Sequence, residues 1–157
     1  TILLATYLFL NSYFVNQENF RKMDYKLSKE IDIRQTKYST SSLDDSDMKK
    51  IVMRLETIML EKKPYQNPEL KLSDLAQLSG IPSHRISQSL NQVKGISFFN
   101  FVNQYRVEAV ISKLKNNQQQ SVTLLAIAEE CGFNSESSFY RIFKTVTGKT
   151  PNSYWKR

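Results

Sequence analysis

The chain has 157 residues, 40% of them hydrophobic, and a formal charge of +7, which suits one or two small globular units facing an acidic partner or surface. Its single cysteine, Cys131, excludes an intramolecular disulfide and any zinc site built from a cysteine cluster, and fits a reducing compartment. Four glycines, four prolines and no long apolar alternation point to an all-α fold.

The first segment, TILLATYLFLNSYFV, has no charged residue before Glu18, yet Ile2 to Val15 is shorter than the ~20 apolar residues that cross a bilayer. Arg21, Lys22, Lys26 and Lys29 follow it, as basic residues do on the cytoplasmic side of a membrane helix. Residues 1–15 therefore read as the end of a transmembrane helix, against the alternative of a buried or partner-binding helix. The expected location is a cytoplasmic domain in a full-length protein anchored in the inner, cytoplasmic membrane. No basic leader and no small-residue cleavage pattern mark a secretory signal. Residues 16–47 are highly charged, and KYSTSSLDDSD at Lys37 to Asp47 collects turn and cap formers, so this stretch is expected to be a linker. A helix begins at positions 44 to 46, where an Asp or Ser can accept from the first-turn amides and Asp44, Asp45 and Asp47 suit the positive end of the dipole. Ile51, Leu55, Ile58 and Met59 then form one apolar stripe, and Pro64 marks the stop.

Beyond that helix the chain repeats itself. Leu72, Leu75, Ala76 and Gly80 recur as Leu124, Ile127, Ala128 and Gly132 at an offset of 52, while Ile86, Leu90, Val93 and Gly95 recur as Phe139, Phe143, Val146 and Gly148 at 53. The second copy carries one extra residue in its turn. Each copy spells a helix with a small Ala on its packing face, a turn opened by glycine, and a second helix anchored by apolar residues one turn apart. That is a helix-turn-helix, over 72–93 and again over 123–146. Ile81 and Phe133, directly after the glycines, are expected to fill the corners. Between the copies, Phe98, Phe101, Val102, Tyr105, Ile111 and Leu114 have helical spacing and predict a connecting helix over 97–115 with an aromatic core stripe. NNQQQ at Asn116 to Gln120 reads as a polar loop, Ser121 or Thr123 as the next cap, and Pro151 as the start of a last short helix whose Tyr154 and Trp155 pack back.

Burying Ile86 and Leu90 leaves His84, Arg85, Ser87, Gln88 and Asn91 outward on the first copy. Burying Phe139, Ile142 and Phe143 leaves Glu136, Ser137, Tyr140, Arg141 and Lys144 outward on the second. Arg suits guanine, Gln and Asn suit adenine, and Tyr or Ser reaches phosphates and base edges. One polar face is ordinary solvated surface; two in equivalent places point to the major groove of DNA. Residues 69–157 hold eleven Lys and Arg against six Asp and Glu, so most of the excess charge lies on the repeats. A rigid connecting helix would let both second helices enter successive groove segments one turn, ~34 Å, apart.

Catalysis is the rival class. The only His and the only Cys are His84 and Cys131, no cluster has metal-ligand spacing, and no G-x-S-x-G elbow occurs. TGKT at Thr147 to Thr150 mimics the end of a phosphate-binding loop, but Phe143 stands where that loop needs its first Gly. No enzymatic activity, catalytic residue, metal or cofactor is expected. The remaining alternative is a helical protein-interaction adaptor with only non-specific nucleic-acid affinity, which would expose an apolar groove.

The combination Tyr105-Arg106-Val107, Ile127-Ala128, Gly132-Phe133, Ser135, Ser138-Phe139, Arg141, Phe143-Lys144, Gly148, Thr150-Pro151 and Tyr154 resembles the C-terminal DNA-binding domain of AraC/XylS-type transcription regulators. The resemblance covers about Met48 to Arg157. It implies a seven-helix, homeodomain-like domain over 48–157, with two helix-turn-helix subdomains joined by a long helix. It also implies double-stranded promoter DNA as partner; RNA polymerase and a second copy of the chain are further candidates. The family's base-reading positions fall on His84, Arg85, Ser87 and Gln88, and on Glu136, Ser137, Tyr140 and Arg141. EKKPYQNPELKLSDLAQLSGIPSHRISQSLN is similar to a bacterial subgroup whose domain follows a multi-span membrane sensor. Departures from the pattern are Pro82 at the cap of the first recognition helix, Val110 where a small Ala is common, and Lys113 where an aliphatic is frequent. Glu136 would repel phosphates yet can accept from cytosine.

Overall fold

A computed structural model of the chain describes residues 44–116 and 122–155. The membrane-helix reading of residues 1–15, nearly all of the linker and the Ser121 cap lie outside them. Among the described residues every regular element is helical, and no helix is long and apolar enough to cross a membrane.

Helix α1 (Asp45–Lys62) buries Met48, Val52, Leu55, Ile58 and Met59. Ile51, expected in this stripe, is only half-buried at its edge. The expected side-chain cap does not form: Asp44 occupies the cap position without a side-chain hydrogen bond. Its acidic neighbours turn instead to lysines one turn on, Asp45 to Lys49 at 2.6 Å and Asp47 to Lys50 at 2.9 Å. After α1 the chain leaves through Lys63 in the left-handed region (φ 49°) into a 3-10 turn, Pro64–Gln66.

The two copies fold alike. In the first, α2 (Leu72–Ser79) is followed by α3 (Ser83–Ser89), which continues as a π-helical turn, Leu90–Lys94. In the second, α5 (Leu124–Glu130) is followed by α6 (Glu136–Thr147). Residues 83–94 and 136–147 thus correspond at the offset of 53. The extra residue sits between glycine and helix, where Ile81-Pro82 in one copy faces Phe133-Asn134-Ser135 in the other. Pro82 has no side-chain acceptor, so α3 starts without a side-chain cap. Ser135 Oγ accepts from the Ser138 amide at 3.3 Å and Thr123 Oγ1 from the Ala126 amide at 3.2 Å. Ser135→Ala and Thr123→Ala should each lower stability by about 1 kcal/mol. Asp44→Ala, which removes only a dipole interaction, should cost ~0.3 kcal/mol. Urea midpoints of the three variants check this ordering.

Helix α4 (Phe98–Asn116) joins two cores. Phe101 and Val102 enter the first, with Val52, Leu55, Met59, Leu75, Ile86 and Leu90. Val107 and Val110 enter the second, with Ile127, Phe133, Phe139, Ile142 and Phe143. The aromatic stripe read from the sequence covers only part of this. Val107 and Val110 are fully buried, and so, nearly, are Asn100, Asn103, Gln104 and Arg106, so α4 is enclosed around much of its circumference. Val110 is therefore a core residue, while Lys113 pairs with Glu130 of α5. The closing helix α7 (Pro151–Trp155) lays Tyr154 and Trp155 on the second core, the Tyr154 ring edge-on to Phe143 at 5.3 Å.

One buried contact ties the halves together. Arg106 of α4 donates from Nε to the Tyr65 carbonyl at 2.8 Å, and from Nη2 to the carbonyls of Asn67 at 2.9 Å and Pro68 at 3.4 Å. Gly132, in the turn of the second copy, backs onto the same place: a Cβ built there would lie 2.2 Å from the Tyr65 oxygen and 3.0 Å from Arg106 Nε. Burial pulls the guanidinium pKa down and the nearby Glu69 charge opposes that shift.

Candidate nucleic-acid interface

Residues 83–94 press Ile86, Ser89 and Leu90 into the first core. That leaves His84, Arg85 and Asn91 exposed and Ser87 and Gln88 half-buried. Helix α6 presses Phe139, Ile142 and Phe143 into the second core, with Glu136, Ser137, Arg141 and Lys144 exposed and Tyr140 half-buried. All the side chains singled out from the sequence thus reach the surface of two equivalent helices. At the offset of 53, His84, Ser87, Gln88 and Asn91 coincide with Ser137, Tyr140, Arg141 and Lys144. Arg85 coincides with Ser138 and Glu136 with Ser83, so those two have no chemical counterpart in the other copy.

Among the described residues no carboxylate lies within ion-pair distance of Arg85, Arg141 or Lys144, whereas Lys94 pairs with Glu56 of α1 and Lys113 with Glu130. Uncommitted guanidinium and ammonium groups on a convex polar helix suit phosphates and guanine edges.

At the start of α6, Glu136, Ser137 and Tyr140 line one open groove. The Tyr140 ring packs edge-on against Phe139 at 5.4 Å, and its hydroxyl donates to Asn152 Oδ1 at 3.3 Å. Asn152 was not legible as a member of this site. Its place beside Pro151 marked a short helix, but its partner depends on how Tyr154 and Trp155 seat that helix on the second core.

Of the only His and the only Cys, His84 lies on the first polar face and Cys131 in the second core. Cys131 is buried, and burial pushes its thiol up to about 11 against the opposing charge of Lys113, which makes it a core residue with little thiolate at neutral pH. Among the described residues no group of three or more His, Cys, Asp or Glu could hold a metal ion. Among the described residues the most exposed large apolar side chains, Met53 (58%) and Leu60 (65%), lie on α1.

A family model described as a helix-turn-helix domain matches residues 75–157. An uncharacterized HTH-type transcriptional regulator of Staphylococcus aureus strain COL is 33% identical over 86 residues, which cover 55% of this chain and 11% of that protein. The probable transcription factor PqrA of Proteus vulgaris is 27% identical over 95 residues, covering 60% of this chain and 75% of that one. The solved C-terminal domain of AraT, a response regulator from Geobacillus stearothermophilus, is similar in fold. Its TM-score is 0.55 at 23% identity, with 68% of this chain and 83% of that chain covered.

Proposed function

The chain belongs to the AraC-type helix-turn-helix family of DNA-binding transcription regulators, and from that premise we propose that it reads promoter DNA with two recognition helices, residues 83–94 and 136–147, in adjacent major-groove segments. The observation that carries this reading is the pair of equivalent polar faces held on cores that share α4. Arg85 and Arg141 are the bidentate donors for guanine, Gln88 and Asn91 the adenine readers, His84, Ser87 and Ser137 the adaptable contacts, and Tyr140 a further base-edge contact. Lys144 suits a phosphate, and Glu136 a cytosine amine. RNA polymerase and a second copy of the chain are the further partners of this reading.

Selection of random duplex DNA, followed by affinity at several salt concentrations, tests it. Two enriched blocks one helical turn apart, with a preference that survives added salt, are expected. Weak binding that collapses with salt and selects nothing would favour the adaptor reading. Arg141→Ala should cost about 1–3 kcal/mol of binding and relax specificity at one position. A loss of equal size on every sequence would assign Arg141 to a phosphate.

A finer reading makes the domain the output module of a membrane-anchored sensor. It is supported by the apolar run Ile2 to Val15 and the basic residues Arg21, Lys22, Lys26 and Lys29 after it. Fractionation of the full-length protein tests it: release from membranes by detergent but not by salt is expected, and release by salt would sink the anchor.

A further inference from the structure

Glu136 and Tyr140 stand one helical turn apart on α6 and line a single groove with Ser137. A carboxylate only accepts hydrogen bonds, whereas a phenol both donates and accepts. Here the phenol's one proton is committed, because the Tyr140 hydroxyl donates to Oδ1 of Asn152 on α7 at 3.3 Å. What Tyr140 offers the groove is therefore its lone pairs. No cation among the described residues is within ion-pair distance of Glu136, so its oxygens are also open to a ligand. The Ser137 hydroxyl can rotate to donate or accept and discriminates little.

Two acceptors on one groove require a donor in it. Along the major groove only exocyclic amines donate, N6 of adenine and N4 of cytosine, while guanine and thymine present acceptors there. We propose that the Glu136–Tyr140 groove is a specificity-determining subsite for an amine-bearing base, adenine or cytosine, with Asn152 as the positioning residue that keeps Tyr140 an acceptor. The inference rests on the reading that α6 enters the major groove. The Tyr140–Asn152 bond is long for an O–H···O pair, so its effect is on orientation more than on stability. The carboxylate sharpens the choice: a base that brings only acceptors leaves Glu136 facing lone pairs and phosphates with nothing to offset the repulsion.

The test uses the chain and its selected duplex. Each adenine or cytosine of the block read by α6 is replaced in turn by purine or 2-pyrimidinone, which lack the amine. At one position this should weaken binding roughly 5- to 100-fold, the usual worth of a base-edge hydrogen-bond pair. With Tyr140→Phe and Glu136→Ala together, the same deletion should cost less than about 2-fold. Asn152→Ala should relax the preference while the unfolding midpoint stays put. Asn152→Asp, which keeps an acceptor for the phenol, should retain the preference while its added charge weakens binding on all sequences. A guanine or thymine at the position that responds to Glu136 and Tyr140 substitutions would overturn this inference and leave α6 in the groove. So would an amine deletion that costs the wild-type and doubly substituted chains equally. A selection with no enriched block for α6 would overturn the groove reading along with it.

Discussion

Replacing Arg106 with Ala should lower the unfolding free energy by about 3–5 kcal/mol. Its guanidinium makes two short hydrogen bonds, to the carbonyls of Tyr65 and Asn67, and a longer one to Pro68. Hydrogen bonds from a charged donor contribute ~1.5–3 kcal/mol each, and their removal strands the carbonyl of buried Tyr65 as well. The side chain is 9% exposed, so solvent screening discounts little of this. Arg106→Lys should recover less than half of the loss, since one ammonium cannot span carbonyls that a planar fork reaches at once. Against the ~5–15 kcal/mol that holds a small domain together, the alanine variant is marginal at physiological temperature. Urea unfolding followed by the emission of Trp155, the only tryptophan, reports the second core. Far-UV circular dichroism of the same samples reports all helices. An unfolding free energy within ~0.5 kcal/mol of wild type would show that the guanidinium is not the tie between the halves.

Gly132→Ala should cost more than 3 kcal/mol, and Gly80→Ala only about 1 kcal/mol. The two glycines open equivalent turns, and both lie at positive φ, 92° and 71°. A Cβ is therefore strained by the backbone at both positions. The surroundings differ: a Cβ at position 80 meets nothing within 4 Å, whereas one at 132 would stand 2.2 Å from a backbone oxygen, that of Tyr65. The Pro64–Gln66 turn cannot move away without loosening the Arg106 bonds. The difference between the two variants, measured by the same unfolding experiment, isolates the close approach. Equal costs would mean that the Gly132 turn simply swings away from Tyr65. On the proposed function, Gly132→Ala should also weaken binding to a two-block site more than to a single block, because it disturbs how the two faces are set relative to each other.

These two residues show where sequence reading runs out. Arg106 and Gly132 both belong to the motif set that carries the AraC/XylS resemblance, but nothing near them in the chain says why. Their partners, Tyr65 to Pro68, stand about 40 residues before Arg106 and more than 60 before Gly132. The same holds for Val107 and Val110, which spacing alone left out of the aromatic stripe, and for Asn152, whose contact with Tyr140 crosses from one helix to the next. The Asp44 cap is the reverse case, a local signal that the structure leaves unused while the neighbouring Asp45 and Asp47 pair with lysines one turn on.

By itself, the sequence determined what local physics can write: an all-helical chain, a repeat with a one-residue difference in its turn, and the polar residues displayed on each second helix. Helical period, glycine at positive φ and the capping Thr123 act over a few residues, so they are visible in the string of letters. The connecting helix is written in the spacing too, but only the tertiary structure decided that two cores share it and that a buried guanidinium lies under a glycine turn. Those contacts depend on chain segments brought together by packing, where shape and hydrogen-bond satisfaction, and not sequence spacing, select the neighbours.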